Sequence, residues 1–209
     1  MMKNIPNIES IKTYFDQRVQ THGTSAQGSY WNSIESQYIR FDQLLKVIGS
    51  VRQFSILDYG SGSGALVDYL RERDYSCEYY GYDILESAIE LAQNKYKANE
   101  NCHFTNEESS LPACDYVIAS GIFNYRGDQS FEIWTNYVVE TLSRMHDLSK
   151  KGFSSNFLTK YSDAEKMRPD LYYADPLYLF DFCKNHYSRN VALLHDYNLY
   201  DFTIIIRKD

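Results

Sequence analysis

Residues 56–66 read ILDYGSGSGAL. A short apolar run ends in Asp58, glycines follow at Gly60, Gly62 and Gly64, and apolar residues then recur at helical spacing from Ala65. Glycine lacks a Cβ atom, so a turn of this kind lets the backbone pass close to a ligand. The stretch therefore predicts a strand, a glycine loop and a helix that together approach a bound molecule.

Strand-like and helix-like segments alternate from residue 54 onwards. Strands are predicted over FSILDYG, EYYGYDI, CHFT, DYVIASGIF, GFSSNFLT, VALLHDY and DFTIIIRK, and helices over residues 65–74, 87–96, 131–145 and 175–186. Two earlier helices are predicted over residues 8–20 and 34–48, whereas residues 168–176 have the polar, proline-bounded composition of a loop. The alternation indicates an α/β fold, with a mostly parallel sheet and helices on both faces.

Asp83 ends the second predicted strand, nineteen residues after Gly64. An acidic side chain at that place can accept hydrogen bonds from both hydroxyl groups of a ribose, so a nucleoside-bearing cofactor is expected across the two strand ends. GSGSGA also satisfies the G-x-G-x-x-A dinucleotide pattern, which makes a nicotinamide cofactor the alternative. Asp58 favours a ligand with a cationic amino group, because a carboxylate repels a pyrophosphate.

Three segments, ILDYGSGSG, GYD with Asp83, and CDYVIASGIFNY, together resemble the class I S-adenosylmethionine-dependent methyltransferase family. The glycine loop of that family has the pattern V/I-L-D-x-G-x-G-x-G. The resemblance implies one methyltransferase domain over residues 1–209, with a Rossmann-like core over residues 51–209 and a helical lid over residues 1–50. It also implies a sheet of seven strands, the last of them antiparallel, and S-adenosylmethionine as cofactor with S-adenosylhomocysteine as product.

The resemblance implies roles for individual positions. Asp58 and the loop backbone would hold the methionine part of the cofactor, Asp83 would hold the ribose, and Ile84 would pack on the adenine. The other cofactor-binding positions implied are those of the loop, of the turn after the third strand and of the end of the fourth strand, namely Gly60, Ser61, Gly62, Gly64, Asn106, Glu107, Ser120 and Gly121.

The helices predicted over residues 8–20 and 34–48 are expected to cover the cofactor crevice. Tyr14 and Arg40 are the candidate cofactor contacts on them, Arg40 because a guanidinium group can clamp a carboxylate.

Methyl transfer from a sulfonium requires an acceptor lone pair in line behind the methyl carbon, and it requires water to be excluded. The acceptor is therefore expected at the carboxyl ends of the fourth to sixth strands. His195 is the candidate general base, since a neutral imidazole can take a hydroxyl proton at pH 7, and Tyr173 is a second catalytic candidate. Candidate substrate-binding residues are Trp31, Phe123, Asn156, Tyr172 and Tyr197. For Tyr172 and Tyr173 the alternative is that they pack a loop onto the core.

Composition narrows the possible partners. The 209 residues carry 21 Lys and Arg against 28 Asp and Glu, a net charge of −7, which disfavours a nucleic-acid partner. The sequence has twenty Tyr and eleven Phe. We therefore expect aromatic rings, many of them with a hydroxyl group, to line a core, a pocket or an interface.

No stretch of about 20 consecutive apolar residues could span a bilayer, and the four cysteines are scattered, so a cytoplasmic protein without disulfides or a membrane partner is expected. No catalytic metal is predicted, because Asn124 and Asn156 stand where acidic ligands would be needed.

The function predicted from the sequence is methyl transfer from S-adenosylmethionine to an oxygen or nitrogen atom of a small molecule, such as a metabolite or a surface-carbohydrate precursor. Two alternatives stay open at this point. One is a nicotinamide-dependent oxidoreductase or epimerase, which the G-x-G-x-x-A match suggests. The other is a catalytically silent S-adenosylmethionine-binding subunit of a larger complex, which the lack of a decisive catalytic motif suggests.

Overall fold

The computed structural model describes residues 6–22 and 33–208, with the backbone alone for residues 18–22. The helices of this part of the chain are α1 (Ile8–His22), α2 (Ile34–Leu44), α3 (Ala65–Glu72), α4 (Glu86–Tyr96), α5 (Phe131–Leu148) and α6 (Pro176–His186). Its strands are β1 (Gln53–Tyr59), β2 (Ser76–Tyr82), β3 (Cys102–Thr105), β4 (Cys114–Ala119), β5 (Ser149–Thr159), β6 (Tyr173–Ala174), β7 (Asn190–Leu194) and β8 (Asp201–Arg207).

The strands form one sheet in the order β3-β2-β1-β4-β5-β8-β7. The pairs from β3 to β5 are parallel, whereas β8 is antiparallel to both β5 and β7. The predicted mostly parallel α/β sheet with an antiparallel last strand is confirmed. The strand order reverses at β1 and β4, so a crevice is expected outside the carboxyl ends of these two strands.

Both faces of the sheet are covered by helices, as predicted. One apolar cluster contains inward side chains of α5 and α6, and a second contains those of α2 and α3. In α5 the buried residues Trp134, Val138, Leu142 and Met145 recur at helical spacing, and the Oγ of Ser130 accepts a hydrogen bond from the Ile133 amide at the N-terminus. No described helix has the length and apolar character that crossing a membrane requires.

The structure corrects the predicted loop over residues 168–176 at one point. Tyr173 and Ala174 form β6, which pairs in parallel with Leu158 and Thr159 of β5. The paired part of β4 reaches only Ser155 on β5, so the longer strand presents backbone groups beyond that point, and β6 satisfies them. Two strands are shorter than predicted. The strand predicted over DYVIASGIF ends at Ala119 in β4, and the strand predicted over VALLHDY ends at Leu194 in β7.

Candidate functional site

The glycine loop leaves β1 in a conformation that favours glycine. Gly60, Gly62 and Gly64 have φ angles of 91°, 52° and 83°. A Cβ atom on Gly60 would lie 2.1 Å from Cγ2 of Ile122, so a side chain there would have to displace the Ile122 side chain. The loop therefore needs glycine for both its backbone angles and its packing.

Hydrogen bonds tie this loop to the end of β2. The amides of Gly60 and Ser61 donate to the carbonyl of Tyr82 at 2.7 and 2.8 Å, and the Gly62 amide donates to Oδ2 of Asp83 at 2.8 Å. The other carboxylate oxygen of Asp83 accepts from the Leu85 amide at 3.0 Å. Burial raises the pKa of Asp83, and these backbone donors oppose the rise. Each oxygen keeps lone-pair capacity for a further donor.

Asp58 is a buried carboxyl group beside the loop. Its side chain is 3% exposed, and Oδ2 accepts a hydrogen bond from the Tyr79 hydroxyl at 2.8 Å. Burial raises the pKa of Asp58 to about 7, the nearby charge of Asp83 adds to the rise, and the Tyr79 hydrogen bond opposes it. A cation brought next to this group would favour its ionised form.

A cavity of about 430 Å³ lies at the carboxyl ends of β1 and β4. Its glycine-loop wall includes Asp58, Gly60, Ser61, Gly62, Asp83 and Ile84. Its β4-exit wall includes Ser120, Gly121, Ile122, Asn124, Tyr125 and Trp134. The helices α1 and α2 contribute Ile8, Ile11, Phe15, Gln37, Arg40 and Phe41, so both N-terminal helices reach the cavity. The volume is in the range of pockets that hold small molecules.

Two buried side-chain oxygen atoms of the β4-exit wall lack hydrogen-bond partners in the described part of the chain. They are the Oγ of Ser120 and the Oδ1 of Asn124. An unsatisfied buried polar atom costs about 1–3 kcal/mol, so a ligand that supplies a partner relieves that cost.

Arg40 reaches the cavity from α2 and is nearly buried. Its Nε donates to Oδ2 of Asp201, and one terminal nitrogen donates to the Ser36 carbonyl at 2.8 Å. Asn156 donates to the same oxygen of Asp201 at 2.9 Å and accepts from the Gly121 amide at 2.8 Å. Buried hydrogen bonds therefore connect α2, β8, β5 and the segment after β4.

Nine of the predicted site residues line the cavity: Arg40, Asp58, Gly60, Ser61, Gly62, Asp83, Ile84, Ser120 and Gly121. Gly64 lies behind the wall at the start of α3, where its carbonyl accepts a hydrogen bond from the Tyr96 hydroxyl at 2.7 Å. Tyr14 does not line the cavity, but its ring stacks on the lining residue Tyr125 at a centroid distance of 3.9 Å.

Asn106 and Glu107 are exposed and do not line the cavity. The Glu107 amide donates to the Thr105 hydroxyl, and its carbonyl accepts from Ser110, so these bonds serve the turn after β3 itself. The structure does not bring this turn to the site.

Three predicted substrate contacts are core residues. Phe123 stacks on Phe157, Asn156 is fully buried, and the hydroxyl of Tyr172 bonds Thr135 at 3.0 Å. None of the three lines the cavity.

The two catalytic candidates lie away from the cavity wall. His195 is exposed after the end of β7, and β8 separates β7 from β5, which displaces His195 from the crevice. The Tyr173 hydroxyl accepts a hydrogen bond from the Arg168 amide at 3.0 Å. Tyr197, a predicted substrate contact, bonds Thr203 at 2.9 Å and is not part of the wall. Trp31 lies outside the described residues.

Several cavity residues were missed at the sequence level. Asn124 and Tyr125 directly follow the fourth predicted strand, and this position was the signal that could have identified them. Gln37 and Arg168 line the cavity without a local signal, because folding alone brings them there. In the described part of the chain, no three His, Cys, Asp or Glu side chains cluster as metal ligands.

The chain resembles known proteins in sequence and in structure. The family profile described as a methyltransferase domain matches residues 57–152. Rv1506c of Mycobacterium tuberculosis (strain ATCC 25618 / H37Rv), a protein named as a candidate methyltransferase, is 44% identical over 164 residues, which are 78% of this chain and 99% of that protein.

Solved methyltransferases share the fold. Magnesium protoporphyrin IX methyltransferase from Synechocystis PCC 6803, crystallised with S-adenosylhomocysteine, has a TM-score of 0.66 at 17% identity, covering 97% of this chain and 100% of its own. Human N-acetylserotonin methyltransferase, in complex with S-adenosylmethionine, has a TM-score of 0.62 at 16% identity, covering 93% of this chain and 56% of its own. At these identities the likeness shows the fold alone.

Asp58→Asn is expected to stabilise the fold at pH 8. The folded-state pKa of about 7 lies above the ordinary value of 3.8, so the contribution of Asp58 to stability is lost as the pH rises from about 4 through 7. A neutral amide avoids this loss of about 1–4 kcal/mol, so the midpoint of thermal unfolding should rise by several degrees at pH 8.

The gain should shrink as the pH falls towards 4. Glu90→Gln, on an exposed side of α4, is the control and should show no such pH-dependent gain. The midpoint of thermal unfolding of Asp58→Asn could instead rise by the same amount at every pH, or fall at pH 8. Either result would contradict the claim that ionisation of the buried Asp58 carboxyl group destabilises the fold.

Proposed function

The chain belongs to the class I S-adenosylmethionine-dependent methyltransferase family, and we propose that it transfers the methyl group to an oxygen or nitrogen atom of a small-molecule acceptor. The observation that carries the proposal is the glycine loop held against Asp83 beside the buried carboxyl group of Asp58. These groups share one cavity with the polar turn after β4.

The described residues fit S-adenosylmethionine. The glycine loop brings the backbone to the cavity at a position where a Cβ atom has no room. The buried Asp58 carboxyl suits the cationic amino group of a methionine moiety, and a pyrophosphate would be repelled there. Bound S-adenosylmethionine would supply an electrophilic methyl group on a sulfonium centre.

The residues that would hold it are those of the glycine-loop wall. Asp83 would accept hydrogen bonds from the ribose hydroxyls, since both of its oxygens retain lone pairs beyond their backbone donors. Ile84 would pack against the adenine, and Arg40 would face the carboxylate of the amino-acid part.

The β4-exit wall would hold the acceptor. Its orphaned oxygens, on Ser120 and Asn124, would bond a polar group of the acceptor, while Tyr125, Trp134 and Ile122 would pack against its apolar surface. Such a wall orients a small molecule and excludes water from it, which is how an in-line displacement is accelerated without a decisive acid or base.

We also infer that α1 and α2, within residues 1–50, act as a lid over a single methyltransferase domain. Ile8, Ile11 and Phe15 of α1 and Phe41 of α2 form part of the cavity lining. The Oδ1 of Asp16 on α1 accepts a hydrogen bond from Ser87 at 2.6 Å, so the lid is anchored beside the segment that follows Asp83.

Asp83→Ala is expected to weaken binding of S-adenosylhomocysteine by about 1 kcal/mol or more, roughly fivefold, because two hydroxyl partners are lost. Calorimetry would measure the affinity, and circular dichroism would verify the fold. Glu107→Gln is the matched control, since Glu107 is exposed and outside the cavity, and its affinity should be unchanged. Unchanged affinity for Asp83→Ala would remove the ribose assignment.

Affinity for S-adenosylmethionine is expected to fall as the pH is lowered from 7.5 to 5.5. The pKa of Asp58 is raised to about 7, so protonation removes the negative charge that faces the cationic ligand. The dissociation constant should rise by up to about tenfold. In Asp58→Asn the affinity for S-adenosylmethionine should be lower and nearly independent of pH over this range. If the affinity of the wild-type protein depends on pH as little as that of the variant, Asp58 does not contact the cationic group of the ligand.

A further inference from the structure

Asp201 is a buried carboxylate at the start of β8 that does not belong to the cavity lining. Its side chain has no exposed surface, and Oδ2 accepts hydrogen bonds from both Arg40 and Asn156. A charged group so far from water is stable only when it is paired and hydrogen-bonded. One buried oxygen atom therefore joins two side chains that come from different parts of the chain.

The first of these side chains reaches the cavity. Arg40 projects from α2, and its guanidinium group is held by Asp201 through Nε and by the Ser36 carbonyl through a terminal nitrogen. Two bonds at different nitrogens set the plane of a guanidinium group, and that plane decides how it meets a carboxylate.

The second side chain reaches the turn after β4. Asn156 donates to Asp201 through Nδ2 and accepts from the Gly121 amide through Oδ1, so it uses both ends of its amide group. Gly121 has a φ angle of 75° and lies in the β4-exit wall next to Ser120. Movement of Asp201 would therefore change the positions of both Arg40 on α2 and Gly121 in the β4-exit wall.

We propose that Asp201 and Asn156 are positioning residues, which orient Arg40 to hold the carboxylate of the amino-acid part of the ligand and fix the Gly121 turn in the β4-exit wall. This proposal rests on the proposed function. The electrostatics support it, because Asp58 and Asp83 make the glycine-loop wall acidic, and a ligand carboxylate there needs a cation of fixed orientation. Arg168, another cation of the lining, is bonded to Asp170 through two nitrogens.

The test compares two ligands on Asp201→Asn. S-adenosylhomocysteine carries the amino-acid part, and 5′-methylthioadenosine lacks it. The substitution keeps the shape of the side chain and removes its charge, so a weaker neutral hydrogen bond replaces the ion pair that orients Arg40. The dissociation constant of S-adenosylhomocysteine should rise at least tenfold by calorimetry, while that of 5′-methylthioadenosine should stay within about twofold. A merely structural role would weaken both ligands alike.

Ser155→Ala is the matched control. Ser155 is as buried as Asn156 on the same strand, and its hydroxyl donates to the Ala119 carbonyl at 3.1 Å. Both affinities should be unchanged in this variant.

Asn156→Ala is the second variant and does not depend on the folding of Asp201→Asn. The amide resonance of Gly121 should shift in this variant by nuclear magnetic resonance and stay in place in Ser155→Ala. S-adenosylhomocysteine should again lose more affinity than 5′-methylthioadenosine.

Two outcomes would overturn the proposal. Equal weakening of the two ligands, or no weakening, would show that Asp201 and Asn156 only join α2 to the sheet. Failure of the wild-type protein to bind S-adenosylhomocysteine would instead overturn the proposed function, and the role of Arg40 with it.

Discussion

The hydrogen bond from the Gly62 amide to Asp83 joins the two strand ends on which the site is built. It is possible only because the glycine loop takes positive φ angles that other residues avoid, and because Gly60 leaves room for Ile122. The loop, the end of β2 and the segment after β4 are thereby held within one cavity. A side chain at Gly60 would strain the loop and collide with Ile122, so the geometry of the site depends on a few glycine positions.

Three buried or half-buried acidic groups lie in or near this cavity, and each has a different means of compensation. Asp58 has a tyrosine hydroxyl and a raised pKa, Asp83 has backbone amides, and Asp201 has Arg40 and Asn156.

Such contacts explain part of the high tyrosine content of the sequence. Tyr79 and Tyr96 place apolar rings in the core while their hydroxyls bond Asp58 and the Gly64 carbonyl.

The fold and the glycine-loop wall were predictable because their signals are local. A strand, three glycines and an acidic residue at the next strand end lie within a short stretch, and parallel strands bring such ends together. The acceptor side was less predictable, because long-range packing decides it. His195 was predicted within the sixth strand, but β7 ends at Leu194, and β8 lies between β7 and β5. Asn156 is polar enough to contact a ligand, but its amide group instead forms hydrogen bonds with Gly121 and Asp201 inside the core.

The choice of cofactor is the point on which the other assignments depend. Calorimetric titration of the wild-type protein with S-adenosylhomocysteine, followed by competition with NADH, tests it directly. One S-adenosylhomocysteine is expected to bind per chain, and NADH is expected not to displace it at pH 8, where the ionised Asp58 carboxylate would repel a pyrophosphate. Binding of NADH more tightly than S-adenosylhomocysteine would contradict the methyltransferase assignment of this site.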